Sequence, residues 1–217
     1  MKRLAINTVV LHEQSGGLGQ YINMLIQFFA EQKFDFEPVI YISREYYEST
    51  NDLKKYKNIK TLNVSPYNPI KRIFLEPFVW RKILQRDHID LFFSPLSYIP
   101  LGVNVPSVIT IHDLGFFHFR EHYTFLRVNF LKKMIKHSAG KAVKILTISD
   151  YSKKDIVNTF HQDPDKITVI YEGINYDYFT KRYSEKEINT IRKKYNLPEK
   201  YILDYPNKKF SRTFYHA

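Results

Sequence analysis

Short apolar runs rich in β-branched side chains alternate along this chain with longer stretches in which apolar residues recur every three or four positions. The runs Leu4–Val10, Pro38–Ile42, Ile59–Val64, Leu91–Phe93, Val108–Ile111, Ile145–Ile148, Ile167–Tyr171 and Tyr201–Leu203 predict strands. Most are continuous rather than alternating, as expected of strands covered by helices on both faces. Between them, Tyr21–Gln32 puts Ile22, Leu25, Ile26 and Phe29 on one helical face. Phe125–His137 does the same with Leu126, Phe130 and Met134, widened by Leu131 and Ile135. Ile70–Gln85 predicts a helix that Pro77 should end or kink. Ser152–Phe160 opens with Ser152 and Asp155 in the spacing of a weaker capping box, and Ser184 with Glu187 makes a full one.

Strand–helix alternation of this kind predicts a doubly wound, mainly parallel, Rossmann-like α/β sheet with helices on both faces. Ligands of such sheets bind at the carboxyl ends of the strands, and the unusual residues of this chain fall there. The segment "SGGLGQYINML" places Gly16, Gly17 and Gly19, of only 7 glycines in the chain, between the first strand and the first helix. Its backbone N–H groups could receive a phosphate, or it could be an ordinary strand-to-helix turn. It is neither a P-loop nor a good dinucleotide fingerprint, since Ile22 stands where a small residue should be. His112-Asp113 follows the strand ending at Ile111. The pair could be a base with its orienter, a clamp on substrate, a core histidine, or part of a metal site. Adjacent side chains on a strand point opposite ways, and no further ligands stand at metal spacing, so no metal is expected. Ser149 and Glu172 end two later strands. Each has a plain alternative as a helix cap or a turn residue.

Charge sharpens this picture. The chain of 217 residues carries a net charge of +11, which favours an anionic partner such as phosphate groups, nucleic acid or an acidic membrane surface. The stretch 121–155 is basic, holding eight Lys/Arg against three Asp/Glu, which suits docking on anionic lipid headgroups. With no cysteine there is no disulfide or thiolate chemistry. No apolar run is long enough for a membrane-spanning helix, and the start does not read as a signal peptide. The Asn63-Val64-Ser65 sequon is therefore taken as chance.

The order and spacing of "SGGLGQYINML", "SVITIHDLGFF", "ILTISDYSKKDI" and "KITVIYEGINYDYF" resemble the N-terminal domain of family 4 glycosyltransferases of the GT-B fold, over nearly the whole chain to about Leu203. Gly173-Ile174-Asn175 departs mildly from the family's glycine–valine–aspartate turn. The resemblance implies sugar transfer from a nucleotide-sugar donor, usually with retention and without a metal or other cofactor. It implies that Gly16, Gly17 and Gly19 lie against the donor diphosphate and that His112 faces the transferred sugar; Ser149 and Glu172, at strand ends on the same rim, are taken as further substrate-binding candidates. This domain would take the acceptor, a carbohydrate or lipid-linked sugar, and a second domain would hold most of the nucleotide. After Leu203 the sequence reads "DYPNKKFSRTFYHA", which does not resemble the start of that domain, so the chain is expected to be truncated before it. The expectation is thus a domain over 1–203, a disordered tail over 204–217, and a truncated, cytoplasmic chain that is inactive alone and peripheral on the inner membrane face. The alternative is a non-enzymatic basic module for anionic membrane or nucleic acid, although no recognised nucleic-acid motif is present. A nucleotide-dependent oxidoreductase founders on the absent third small residue.

Overall fold

In a computed structural model of the chain, residues 1–118, 125–174, 176 and 180–198 are described. Seven strands form one sheet: β1 Arg3–Asn7, β2 Glu37–Ser43, β3 Ile59–Leu62, β4 Leu91–Ser94, β5 Ser107–Thr110, β6 Lys144–Thr147 and β7 Ile167–Val169. Every pairing is parallel, in the order β3-β2-β1-β4-β5-β6-β7. The strand order reverses between β1 and β4, which makes the carboxyl rim between them the switch point where such sheets open a crevice. All seven strand positions inside the described residues agree with the apolar runs; the eighth, Tyr201–Leu203, and the 204–217 segment lie outside them. The doubly wound α/β class expected from the sequence is the class observed.

The pleat sorts the strand residues into two cores. Ala5, Val39, Tyr41, Phe92 and Ile109 join a cluster with Trp80, Ile83, Ile135, Ile156 and Phe160. Their neighbours Leu4, Ile6, Ile40, Ile42 and Phe93 join a second cluster with Ile22 and Ile26. Successive residues therefore bury on opposite faces, which is why the runs are continuous in apolarity.

Among the described residues the α-helices are α1 Gly16–Glu31, α2 Arg44–Ser49, α3 Pro69–Arg86, α4 Gly115–His118, α5 Phe125–Lys141, α6 Asp150–Phe160 and α7 Glu185–Tyr195. The short α2 and α4 are not among the expected helices, and three of the expected ones differ in detail. Helix α1 starts at Gly16, five positions before the apolar periodicity, because its first turn is built from glycines that carry no periodic signal. Helix α3 runs through Pro77 without ending there. A proline inside a helix costs roughly 3 kcal/mol; Asn68 caps this one by accepting from Lys71 N at 3.0 Å, and burial of Trp80, Ile83 and Leu84 outweighs the loss. Helix α6 is capped by Ser149 rather than by Ser152: the Ser149 hydroxyl accepts from Ser152 N at 3.1 Å, while Ser152 is buried. Asp155 instead accepts from His118 Nε2 at 2.8 Å.

The chain divides into two compact units, Met1–Glu172 and Gly173–Ala217. In the second, α7 carries the expected capping box: Ser184 N donates to Glu187 Oε2 at 2.8 Å and Glu187 N to Ser184 Oγ at 3.3 Å.

Candidate active site

The first strand leaves the sheet at Asn7, and the chain turns through Thr8–Ser15 before entering α1. Gly16 has φ +58°, a backbone region that favours glycine. A side chain on Gly17 would meet nothing within 4 Å, so that backbone stands open. Gly19 differs: a Cβ there would lie 2.7 Å from Ser15 Cβ, so its lack of a side chain serves packing. Ser15, the N-cap, makes no side-chain bond into the helix; its hydroxyl accepts from His12 N at 2.9 Å instead. The first helical bond runs from Gly19 N to Ser15 O. The N–H groups ahead of it belong to an end with partial positive charge and no acidic residue in its first turn.

His112 follows β5 directly. Its Nδ1 lies 2.9 Å from Glu172 Oε1 and its Nε2 3.4 Å from Pro95 O. A carboxylate only accepts, so Nδ1 carries a hydrogen. The Tyr21 ring meets the imidazole edge-on at 4.8 Å between centroids, and the Tyr21 hydroxyl is 3.2 Å from Thr110 Oγ1. Burial pushes the Tyr21 phenol above its usual pKa. Asp113 takes no part in holding the imidazole, since its carboxylate accepts from Gly115 N at 2.8 Å and turns the chain into α4. The carboxylate that meets the His112 ring is Glu172, not the adjacent Asp113, a contact that sequence spacing could not reveal across sixty residues. Ser149 is occupied as the α6 cap.

His112 and Ser15 line a cleft of about 960 Å³. Its polar wall includes His12, Tyr67, Arg72 and Tyr98; its apolar wall includes Ile73, Phe116, Phe130 and Met134. None of these was singled out from the sequence as a site residue. Arg72 Nη1 donates to Pro66 O at 3.3 Å, and its Nε stands 3.6 Å from the buried Glu76 carboxyl. Burial pushes Glu76 up to about 7, against the pull of Arg72, and Tyr98 OH lies 3.4 Å from it. Tyr67 donates to Glu13 at 2.6 Å, and that carboxylate pushes the phenol up to about 12. Among the described residues no group of three or more His, Asp or Glu side chains could hold a metal ion.

A seven-stranded parallel sheet with helices on both faces is a Rossmann-like domain of the GT-B kind, and its carboxyl rim carries the glycine-built helix start and the clamped histidine. The chain belongs to Glycosyltransferase Family 4, whose model matches residues 15–178. It is 30% identical over 113 residues to the O-antigen chain mannosyltransferase B of Escherichia coli, a match covering 52% of this chain and 29% of that protein. It is 29% identical over 129 residues to the O-antigen chain mannosyltransferase RfbU of Salmonella typhimurium, covering 55% and 35%. The match thus spans about a third of either relative. Its fold is shared with Anabaena HepE, solved in complex with UDP and glucose, at a TM-score of 0.60 and 15% identity, covering 90% of this chain and 50% of HepE.

Proposed function

We propose that this chain is the acceptor-side half of an enzyme that transfers a sugar from a nucleotide-sugar donor to a saccharide or lipid-linked saccharide. The observation that carries the reading is the clamped His112 in the lining of the cleft, on the same rim as the open start of α1. In the reaction an acceptor hydroxyl oxygen bonds to the anomeric carbon, the bond from that carbon to the donor diphosphate breaks with its electron pair leaving on the diphosphate oxygen, and that oxygen takes up the proton the hydroxyl gives up. The Gly16 and Gly17 amides and the α1 terminus face the charge that develops there. Gly19 lets α1 close on Ser15, Glu172 and Tyr21 hold His112 toward the transferred sugar, and Ser149 supports the rim by starting α6. No metal or other cofactor enters this scheme. The nucleotide is held mainly by a second domain, as the family resemblance implies.

The similarity to two O-antigen chain mannosyltransferases supports a saccharide acceptor. Among the described residues no helix is long and apolar enough to cross a membrane. We place the enzyme in the cytoplasm against the inner membrane face, with Lys132, Lys133 and Lys136 of α5 exposed toward anionic headgroups.

The test is His112→Ala in this chain joined to a family-type nucleotide-sugar-binding domain. Turnover should fall by roughly 100-fold or more while the melting temperature stays near that of the parent. Parental turnover in the variant would overturn the assignment of His112.

A further inference from the structure

Helix α3 presents two faces of opposite character. Glu76, Trp80, Ile83 and Leu84 point into the protein. On the other side Phe74 is 71% exposed, Phe78 78% and Leu75 46%. Helical spacing interleaves these with Lys71, Arg81 and Lys82, all exposed. Glu76 is the helix's single acidic residue and lies on the buried side, so the exposed face carries no negative charge, and apart from Gln85 its exposed side chains beyond Phe74, Leu75 and Phe78 are cationic. Leu101, 57% exposed, sits beside this helix, because Gly102 packs so closely on the Pro77 carbonyl that a Cβ would come within 2.3 Å.

Large aromatics held in water between cations are unfavourable unless something covers them. An ordinary protein partner fits poorly, since lysine is depleted at protein interfaces. An anionic bilayer fits both features: headgroups meet the cations and acyl chains take the phenylalanines. Position agrees as well. Arg72 and Ile73 of α3 and Phe130 and Met134 of α5 line the same cleft, so a membrane against α3 lies beside the cleft in which we place the acceptor.

We propose that the exposed face of α3 docks this protein on an anionic lipid bilayer, with Phe74 and Phe78 inserted below the headgroups. This rests on the membrane-surface reading above but assigns insertion to a helix outside the basic 121–155 stretch. It requires no step of the transfer reaction, so a failure of the chemistry leaves it untouched.

The experiment is co-sedimentation of the full 217-residue chain with vesicles of phosphatidylglycerol and phosphatidylcholine, beside vesicles of phosphatidylcholine alone. The parent should bind the anionic vesicles and lose affinity as salt rises. The F74S/F78S variant should bind at least about 10-fold more weakly, with an unchanged melting temperature because both side chains are exposed. Phe78→Trp should give a new emission that brominated lipids quench, which charge attraction alone would not produce; the native Trp80 is buried and serves as the background. The proposal fails if the parent ignores anionic vesicles, if F74S/F78S binds like the parent, or if Trp at 78 is not quenched. It also fails if neutralising Lys132, Lys133 and Lys136 abolishes binding while the α3 variants keep it, which would leave α5 as the docking element. Competition by single-stranded RNA that the phenylalanine variant no longer feels would reassign the face to nucleic acid.

Discussion

His112 is held by residues from three different parts of the fold: Glu172 after β7, the Tyr21 ring on α1, and the Pro95 carbonyl after β4. The histidine itself was legible in the sequence because it follows an apolar strand at the binding edge. Its partners were not, since adjacency suggested Asp113 and only the sheet order brings Glu172 across. A positioning role for Glu172 has a kinetic signature. Glu172→Ala, in the chain joined to a nucleotide-sugar-binding domain, should lower kcat by roughly 100-fold with acceptor KM nearly unchanged. Glu172→Gln should recover most of that, because an amide oxygen can still accept from Nδ1. Equal losses in the two variants would sink the positioning role.

At the scale of elements, the start of α1 separates two uses of glycine. Gly17 faces open space, so Gly17→Val should leave the melting temperature within a few degrees of the parent while reducing sugar transfer at least 10-fold, as expected when a donor diphosphate must approach that amide. Gly19→Val should do the reverse in kind: its Cβ would sit 2.7 Å from Ser15 Cβ, and unfolding in urea should reveal a loss of about 1–3 kcal/mol. A Gly17 variant with full activity would show that no anion needs that approach. The glycine cluster announced a special backbone in the sequence, but it could not say which glycine served packing and which was open. Helix α3 teaches the complementary lesson. Pro77 argued locally for a break, and tertiary burial of Trp80 overrode it.

Across the whole molecule, Asp87 ties three strands to the end of α3. Its carboxylate accepts from Tyr41 OH at 2.5 Å and pairs with Arg86 at 2.8 Å and Lys60 at 3.1 Å, and its carbonyl accepts from Arg3 Nη1 at 2.5 Å. The Arg86 guanidinium, with the Tyr41 and Lys60 donors, holds this buried carboxyl far below the usual carboxylate range. A depressed folded-state pKa stabilises above the unfolded value and is lost as pH falls through the folded one. Asp87→Asn should therefore cost roughly 3 kcal/mol at neutral pH, and the gap to the parent should narrow steadily below about pH 4. Chemical denaturation across that range checks it; a gap that did not change with pH would mean the ion pairs contribute nothing.

What the sequence determined by itself is the class: short, β-branched, continuous apolar runs read as strands buried on both faces, their alternation with helices points to a doubly wound sheet, and the ordered motifs carry the family. What only the tertiary structure decided is which distant groups meet. Glu172 reaching His112, the cleft walls drawn from α3 and α5, and Phe74 and Phe78 turned outward all depend on sheet order and on the rotation each helix adopts when its larger apolar face is buried. Local pattern encodes which faces are apolar, whereas contacts between distant residues arise only when those faces compete for one core.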